Sequence, residues 1–345
     1  MTLISVTILT GFLGSGKTTL LKRVLSEAHG EKIAVIENEF GEESIDADIL
    51  VADGQEQIIQ MTNGCICCSI RDDLRSTLTM LATKRFNGEL AFDRVIIETT
   101  GLADPGPVAQ TFFMDQDVVE NYVLDSIVTL VDAKHGSRQI SERQEVRRQI
   151  GFADRIFISK ADLVEPAAIH ELTARLRNMN VRAPIEAAHF GDVPLAKIFD
   201  LKGFNLNARL DIAPDSMAEE GPATCGCGHD HGTCGHDHGA GHHHHHDDDV
   251  KSFVYRGDRP FDPARLEDFL SAIVQVHGQN MLRYKGVLDM KGTDRKVIFQ
   301  GVHQVMGSDL GPAWKADEPR QSRMVFIGVD LPKDILIEGL EKAMT

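Results

Sequence analysis

The stretch Gly11-Phe12-Leu13-Gly14-Ser15-Gly16-Lys17-Thr18 decides how this chain is read. It follows the apolar run 3–9, which has the character of a buried strand. It opens into Thr19-Leu20-Leu21-Lys22-Arg23-Val24-Leu25, which has helical spacing. A G-x-x-x-x-G-K-[ST] pattern between a strand and a helix marks a phosphate-binding loop, whereas the same glycines elsewhere would make an ordinary turn. Main-chain N–H groups can turn inward around a phosphate there, and the helix N-terminus adds positive potential. Gly11, Gly14, Ser15, Gly16 and Thr19 are therefore expected to wrap the phosphates. Lys17 would reach the β and γ phosphates, and the Thr18 hydroxyl would ligate Mg²⁺. The motif predicts a nucleotide-binding protein.

With 345 residues and an apolar fraction of 42%, the chain is long enough for two globular domains. Its formal charge of −16 speaks against nucleic acid or an anionic membrane as the main partner. No run approaches the twenty apolar residues of a membrane span, and the apolar start belongs to the first strand rather than to a signal peptide. All six cysteines fall in two clusters, Cys65/Cys67/Cys68 and Cys225/Cys227/Cys234. Such spacing suits metal binding better than a disulfide framework and fits a cytoplasmic protein.

Strand and helix patterns alternate to about residue 200. The runs 32–37 (KIAVIE), 93–98 (DRVIIE), 126–132 (SIVTLVD) and 154–160 (DRIFISK) read as strands, with helical segments at 72–84, 141–150 and 166–179. This alternation predicts an α/β domain over residues 1–204, a mostly parallel sheet with helices on both faces. Ligands of such sheets bind at the carboxyl ends of the strands, where Glu37, Glu98, Asp132 and Lys160 fall. From 205 to 249 the pattern breaks into a Gly/His/Cys-rich linker. A strand at 251, a helix at 263–276, strands at 282–290, 295–302 and 323–329 and a helix at 333–344 then predict a small α+β domain over 250–345. Trp314 and the C-terminal strands are expected in its core.

Glu98-Thr99-Thr100-Gly101 closes an apolar strand downstream of the phosphate loop. A carboxylate there can hold a Mg²⁺-bound water, and Gly101 lets a main-chain N–H approach the γ-phosphate. Ser159-Lys160-Ala161-Asp162 follows another strand and has the form of the base-reading [NST]-K-x-D element. Asp162 would accept from guanine N1–H and N2–H₂, a donor pair adenine lacks, while the Lys160 stem lies along the base. Asn is commonest at the first position, so Ser159 is a departure.

Asn63-Gly64-Cys65-Ile66-Cys67-Cys68 is the least ordinary element. On an extended backbone Cys65 and Cys67 share a face, giving half of a tetrahedral zinc site. Glu37 and Glu42 are candidate oxygen donors. A second set of soft ligands runs through Cys225, Cys227, His229, His231, Cys234, His236 and His238 into the run 242–246, a composition that takes Zn²⁺, Ni²⁺ or Co²⁺.

Taken together, GFLGSGKTTL, IENEFGE, NGCICC, ETTGLADPGP, VDA, SKAD and the C-terminal RYKG, FQGV and MVFIG resemble the CobW-type metallochaperone GTPases over nearly the whole chain. The resemblance implies GTP hydrolysis with Mg²⁺, zinc or a similar divalent metal as cargo, and delivery to a client apo-metalloprotein. It assigns phosphate binding to residues 14–19, the Mg²⁺ site to Glu98, guanine reading to Asp162 and cargo binding to Cys67 and its neighbours. Metal- or nucleotide-dependent self-association would fit the His-rich segment. The alternatives are a zinc buffer with a vestigial nucleotide site, and a kinase-like P-loop enzyme preferring ATP.

Overall fold

The computed structural model describes residues 3–27, 30, 32–38, 51–52, 56–61, 69–189, 192–204 and 248–345. Its first part runs β1 (Ile4–Gly11), α1 (Lys17–Ser26), β2 (Ile33–Asn38), β3 (Val51–Ala52), β4 (Glu56–Met61), α2 (Ser69–Phe86) and β5 (Arg94–Glu98). It continues through α3 (Pro105–Met114), α4 (Gln116–Asn121), β6 (Tyr122–Asp132), α5 (Gly136–Glu142), α6 (Gln144–Phe152), β7 (Arg155–Ser159), α7 (Pro166–Met179) and β8 (Ile185–Ala188). The strands form one sheet in the order β3-β4-β2-β5-β1-β6-β7-β8, parallel except for β3.

β1 lies mid-sheet between β5 and β6 with both faces covered, so every residue but Ser5 is buried, the hydroxyls of Thr7 and Thr10 included. One face packs on α1 through Leu9, Leu20, Leu21 and Val24. The other packs Ile8, Val95 and Ile97 with residues of α2, α3, α6 and α7. The expected strand ends hold. Glu37 sits one residue from the end of β2, Glu98 and Asp132 close β5 and β6, and Lys160 follows β7. All four fall along the carboxyl edge of the parallel strands.

The helix expected at 141–150 is two helices, α5 and α6, separated at Arg143, whose backbone is extended (φ −128°, ψ 116°). Arg147 explains how the break is tolerated. Its Nη1 donates to the carbonyls of Ile140 at 2.7 Å and Ser141 at 3.3 Å, satisfying acceptors left over at the end of α5.

After the linker come β9 (Val250–Gly257), α8 (Pro263–His277), β10 (Met281–Leu288), β11 (Arg295–Val302), β12 (Val305–Ala313), β13 (Ser322–Val329) and α9 (Lys333–Ala343). They build an antiparallel sheet, β12-β11-β10-β13-β9. The expected order thus gains a strand: β12 is a mostly exposed edge. Trp314, expected in the core, is only half-buried, with the Lys296 ammonium 4.8 Å above its ring.

This sheet is buried on both faces. Along β13, Met324 and Phe326 point toward α8 and α9, while Val325 and Ile327 join the core of the first sheet's helices with Leu282 and Val250. Burying each such aliphatic side chain stabilises by about 2 kcal/mol, so the two parts are joined through shared core.

Candidate functional site

The phosphate loop is shaped by two left-handed glycines, Gly14 (φ 74°) and Gly16 (φ 96°), a region that side chains with a Cβ rarely enter. Beside Gly14 an added Cβ would meet nothing within 4 Å, so the loop leaves an open cradle over its backbone. Helix α1 begins at Lys17 with no acidic residue in its first turn, so its terminal N–H groups and dipole are unopposed. Thr18 and Thr19 are exposed at this end.

The Lys17 Nζ donates to the carbonyl oxygens of Gly11 at 2.8 Å and Phe12 at 3.4 Å. An ammonium has three donors, so one remains for a phosphoryl oxygen. Burial lowers the Lys17 pKa, and the Glu98 carboxylate opposes that shift. Thr18 donates its hydroxyl to Glu98 Oε1 at 3.2 Å. A paired hydroxyl and carboxylate beside the loop are the group types with which a P-loop protein holds Mg²⁺. The Ser15 and Thr100 hydroxyl oxygens are buried without a hydrogen-bond partner.

Thr99 pins the end of β5 to β1, its N–H donating to Leu9 O at 3.0 Å and its hydroxyl to Thr10 Oγ1 at 2.9 Å. Gly101 then runs so close to the phosphate loop that an added Cβ would stand 2.5 Å from the Leu13 nitrogen. Only glycine permits that approach.

On the other flank, Lys160 is left-handed (φ 55°), and its Nζ donates to Asp132 Oδ2 at 2.7 Å. The other Asp132 oxygen accepts from the N–H groups of Lys134 at 2.8 Å and His135 at 3.1 Å. Burial alone would raise the Asp132 pKa, but these bonds outweigh it and hold the carboxyl below its usual range. Ser159 faces the phosphate loop and donates to Ser15 O at 2.6 Å. Asp162 lies in the short turn Ala161–Leu163, exposed, with His189 Nδ1 3.8 Å away.

On the cargo side, Glu37 stands in register beside Glu98 on the neighbouring strand. Glu42, Cys65, Cys67, Cys68, Cys225, Cys227, His229, His231, Cys234, His236 and His238 lie outside the described residues. Among the described residues, no group of three His, Cys, Asp or Glu is placed to hold a metal ion.

The sequence did not single out Asp104, Arg148 or Gln149. Gln149 is buried in α6 and donates to Gly101 O at 3.1 Å and Ala103 O at 3.0 Å. Its signal was available, since it falls three residues after Val146 on that helix's apolar face.

A parallel sheet with this loop after its first strand, and with glutamate, aspartate and S-K-x-D elements at successive strand ends, defines a P-loop nucleotide-binding protein. The chain belongs to the CobW/HypB/UreG family: that family's nucleotide-binding domain matches residues 5–186, and the cobalamin synthesis protein cobW C-terminal domain matches 250–344. It is 39% identical over 332 residues to the zinc chaperone YjiA of Escherichia coli (strain K12), covering 96% of each chain. It is 32% identical over 355 residues to the zinc chaperone CobW of a Sinorhizobium species, covering 94% of this chain and 93% of that one. The crystal structure of the Zn(II)-bound YjiA GTPase from E. coli superposes with a TM-score of 0.78 at 33% identity, covering all of both chains.

Proposed function

We propose that this protein is a GTP-hydrolysing metallochaperone that binds zinc, or a similar divalent metal, and passes it to a client apo-metalloprotein as its nucleotide changes. The observation that carries this reading is the register of Glu37 beside Glu98, with Glu98 accepting the Thr18 hydroxyl. Adjacent parallel strands lie about 4.8 Å apart. A carboxylate at the head of the segment leading to Glu42 is therefore next to the carboxylate of the nucleotide site.

Bound Mg-GTP supplies the phosphoanhydride to be cleaved and the divalent charge that neutralises it. Lys17 and the N–H groups of 14–19 would hold the phosphates, Thr18 and Glu98 would hold the metal, and the backbone at Gly101 would approach the γ-phosphate. Asp162 reads guanine, and Asp132 aims the Lys160 stem along the base. No arginine finger is identifiable among the described residues, so unaided turnover should fall at about 10⁻⁴ to 10⁻² s⁻¹.

Cys65, Cys67 and Cys68, with Glu37 and Glu42, form the cargo site. GTP binding shifts the glutamate segment relative to the thiolates, and hydrolysis resets it. The Cys/His-rich stretch within 205–249 gathers metal with lower selectivity and can bridge copies of the chain. No described helix is long and apolar enough to cross a membrane, and clustered thiols in metal-ligand spacing suit the reducing cytoplasm.

The test is zinc competition against a chromophoric chelator in the apo, Mg-GDP and Mg-GTP-analogue states, on the intact protein and on a variant lacking 225–246. A nucleotide-dependent affinity that survives the deletion supports the chaperone. Affinity that ignores nucleotide and disappears with the segment makes the protein a zinc buffer. The readout must be affinity rather than total zinc. A YjiA variant with one glutamate and two cysteines replaced by alanine is still Zn(II)-bound in its crystal structure.

A further inference from the structure

We infer that Gln149 is a positioning residue for hydrolysis, and that helix α6 makes the setting of loop 101–104 depend on the docked C-terminal sheet. The inference rests on the GTPase reading above.

The Gln149 side chain is 1% exposed. Its Nε2 donates to the carbonyls of Gly101 and Ala103, while its Oε1 is buried without a partner. An orphaned buried acceptor is destabilising. A residue selected for packing alone would be aliphatic, like Val146 and Ile150 on the same face. The amide's contribution is therefore its grip on two carbonyls of the loop. That grip has a directional consequence. In a planar trans peptide the C=O of Gly101 and the N–H of Leu102 point opposite ways. Holding the carbonyl toward α6 turns the Leu102 N–H away from it, as a donor for a γ-phosphate oxygen.

The next residue back holds the far end of the loop. Arg148 Nη1 donates to Asp104 Oδ2 at 2.7 Å, and Asp104 Oδ1 accepts from Gly106 N at 2.8 Å, capping α3. Two consecutive residues of α6 thus clamp the four residues that follow Thr100.

The other side of α6 seats the C-terminal sheet. At Gly151 an added Cβ would stand 2.7 Å from Leu282 Cδ1 and 3.2 Å from Val250 Cγ1. Arg283 Nη1 donates to Phe152 O at 3.0 Å, and His303 packs edge-on against the Phe152 ring at 5.2 Å. His303 also reaches α3, since a Cβ on Gly106 would lie 2.7 Å from its Nε2. Both helices that bound the loop are therefore in contact with the C-terminal sheet, and the loop cannot be reset without disturbing that packing.

The test uses the full-length protein and three variants, Gln149→Leu, Arg148→Met and Leu282→Ala. Single-turnover hydrolysis is measured together with affinities for GDP and for a non-hydrolysable GTP analogue. Gln149→Leu should lower the hydrolysis rate about tenfold, the scale of a misplaced reacting group. Analogue affinity should fall about fivefold with GDP affinity held within about twofold, because the lost contact serves the γ-phosphate alone. Arg148→Met should move both readouts the same way by less. Arg148 is part-exposed, so this variant decides the matter if Gln149→Leu does not fold. Leu282→Ala lies in the other sheet and should lower the rate at unchanged GDP affinity.

Wild-type rates and analogue-to-GDP ratios in the two helix variants would overturn the positioning role. A neutral Leu282→Ala would overturn the link to the C-terminal sheet. If the wild type binds GTP without hydrolysing it, the GTPase reading fails, and the analogue-to-GDP ratio still decides the role of Gln149.

Discussion

The Ser159 hydroxyl donates to the main-chain oxygen of Ser15 at 2.6 Å, joining the base-reading element to the phosphate loop across 144 residues of sequence. Serine at this position, a departure in the sequence, therefore has a structural task. It fastens the loop that presents Lys160 and Asp162 to the loop that wraps the phosphates, and the bond is buried.

Ser159→Ala removes that tether and leaves a buried carbonyl short of one donor. A lost hydrogen bond of this kind is worth about 1 kcal/mol, so GTP and GDP affinities should fall together by about fivefold. The preference for guanine over adenine nucleotides should hold, because the Ser159 hydroxyl proton is committed to Ser15 O. Fluorescent-nucleotide titrations with all four nucleotides check this. A selective loss of guanine preference would place Ser159 at the base instead.

Asp162 carries the opposite expectation. Its carboxylate would accept from two guanine donors, whereas an asparagine amide offers one acceptor and one donor face. Asp162→Asn should weaken GTP binding by about a hundredfold, roughly two charge-assisted bonds. It should also gain affinity for the xanthine nucleotide, whose C2 carbonyl can accept from the new amide. Competition between GTP and XTP reads this out. Unchanged GTP affinity would remove Asp162 from the base site.

Glu98 faces Thr18 at 3.2 Å. Glu98→Gln keeps the shape and removes the charge that would oppose a divalent cation. Hydrolysis should fall on the order of a hundredfold, with the Mg²⁺ concentration for half-maximal rate moving upward and GDP affinity without Mg²⁺ little changed. A Mg²⁺ titration of the hydrolysis rate makes the comparison. A variant that titrates like the wild type would show that Glu98 does not serve the metal.

The nucleotide side of the molecule was legible in the sequence for a physical reason. Strands buried on both faces are apolar runs, and the residues that interrupt them at their carboxyl ends, Glu98 and Asp132, stand out by contrast. The split at Arg143 was not legible, because residues 141–150 hold no glycine or proline to mark it, while the break is stabilised from a distance by Arg147. Strand β12 was hidden as well. An edge strand with much of its length exposed, carrying Gly307, Ser308 and Asp309, has no apolar alternation to read. Gln149 was overlooked because a single polar residue in an amphipathic helix is usually solvated, although its spacing from Val146 already put it on the apolar face.

Lys285 gives the last prediction. It is 2% exposed in β10, close to Arg283, Arg182 and Asp154. Burial, and then the charges of Arg182 and Arg283, lower its pKa to about 7, against a smaller opposing pull from Asp154. In the unfolded chain a lysine titrates near about 10.4. Below pH 7 both states hold the proton, and the folded state carries the full penalty of a buried ammonium. Between about pH 7 and 10.4 the unfolded chain binds more protons than the folded one, so stability rises with pH, by at most about 1.4 kcal/mol per unit. Asp154 does not blur this window. Burial would raise its pKa, but Arg283 and Arg182 outweigh that and keep it below the usual carboxylate range. Lys285→Met removes the titration. Its stability relative to the wild type should therefore be most favourable at pH 6 and decline steadily toward pH 9. Unfolding midpoints across that range, read with the nucleotide held constant, provide the measurement. A difference between the two proteins that stays flat with pH would mean that Lys285 keeps an ordinary lysine pKa in the folded chain.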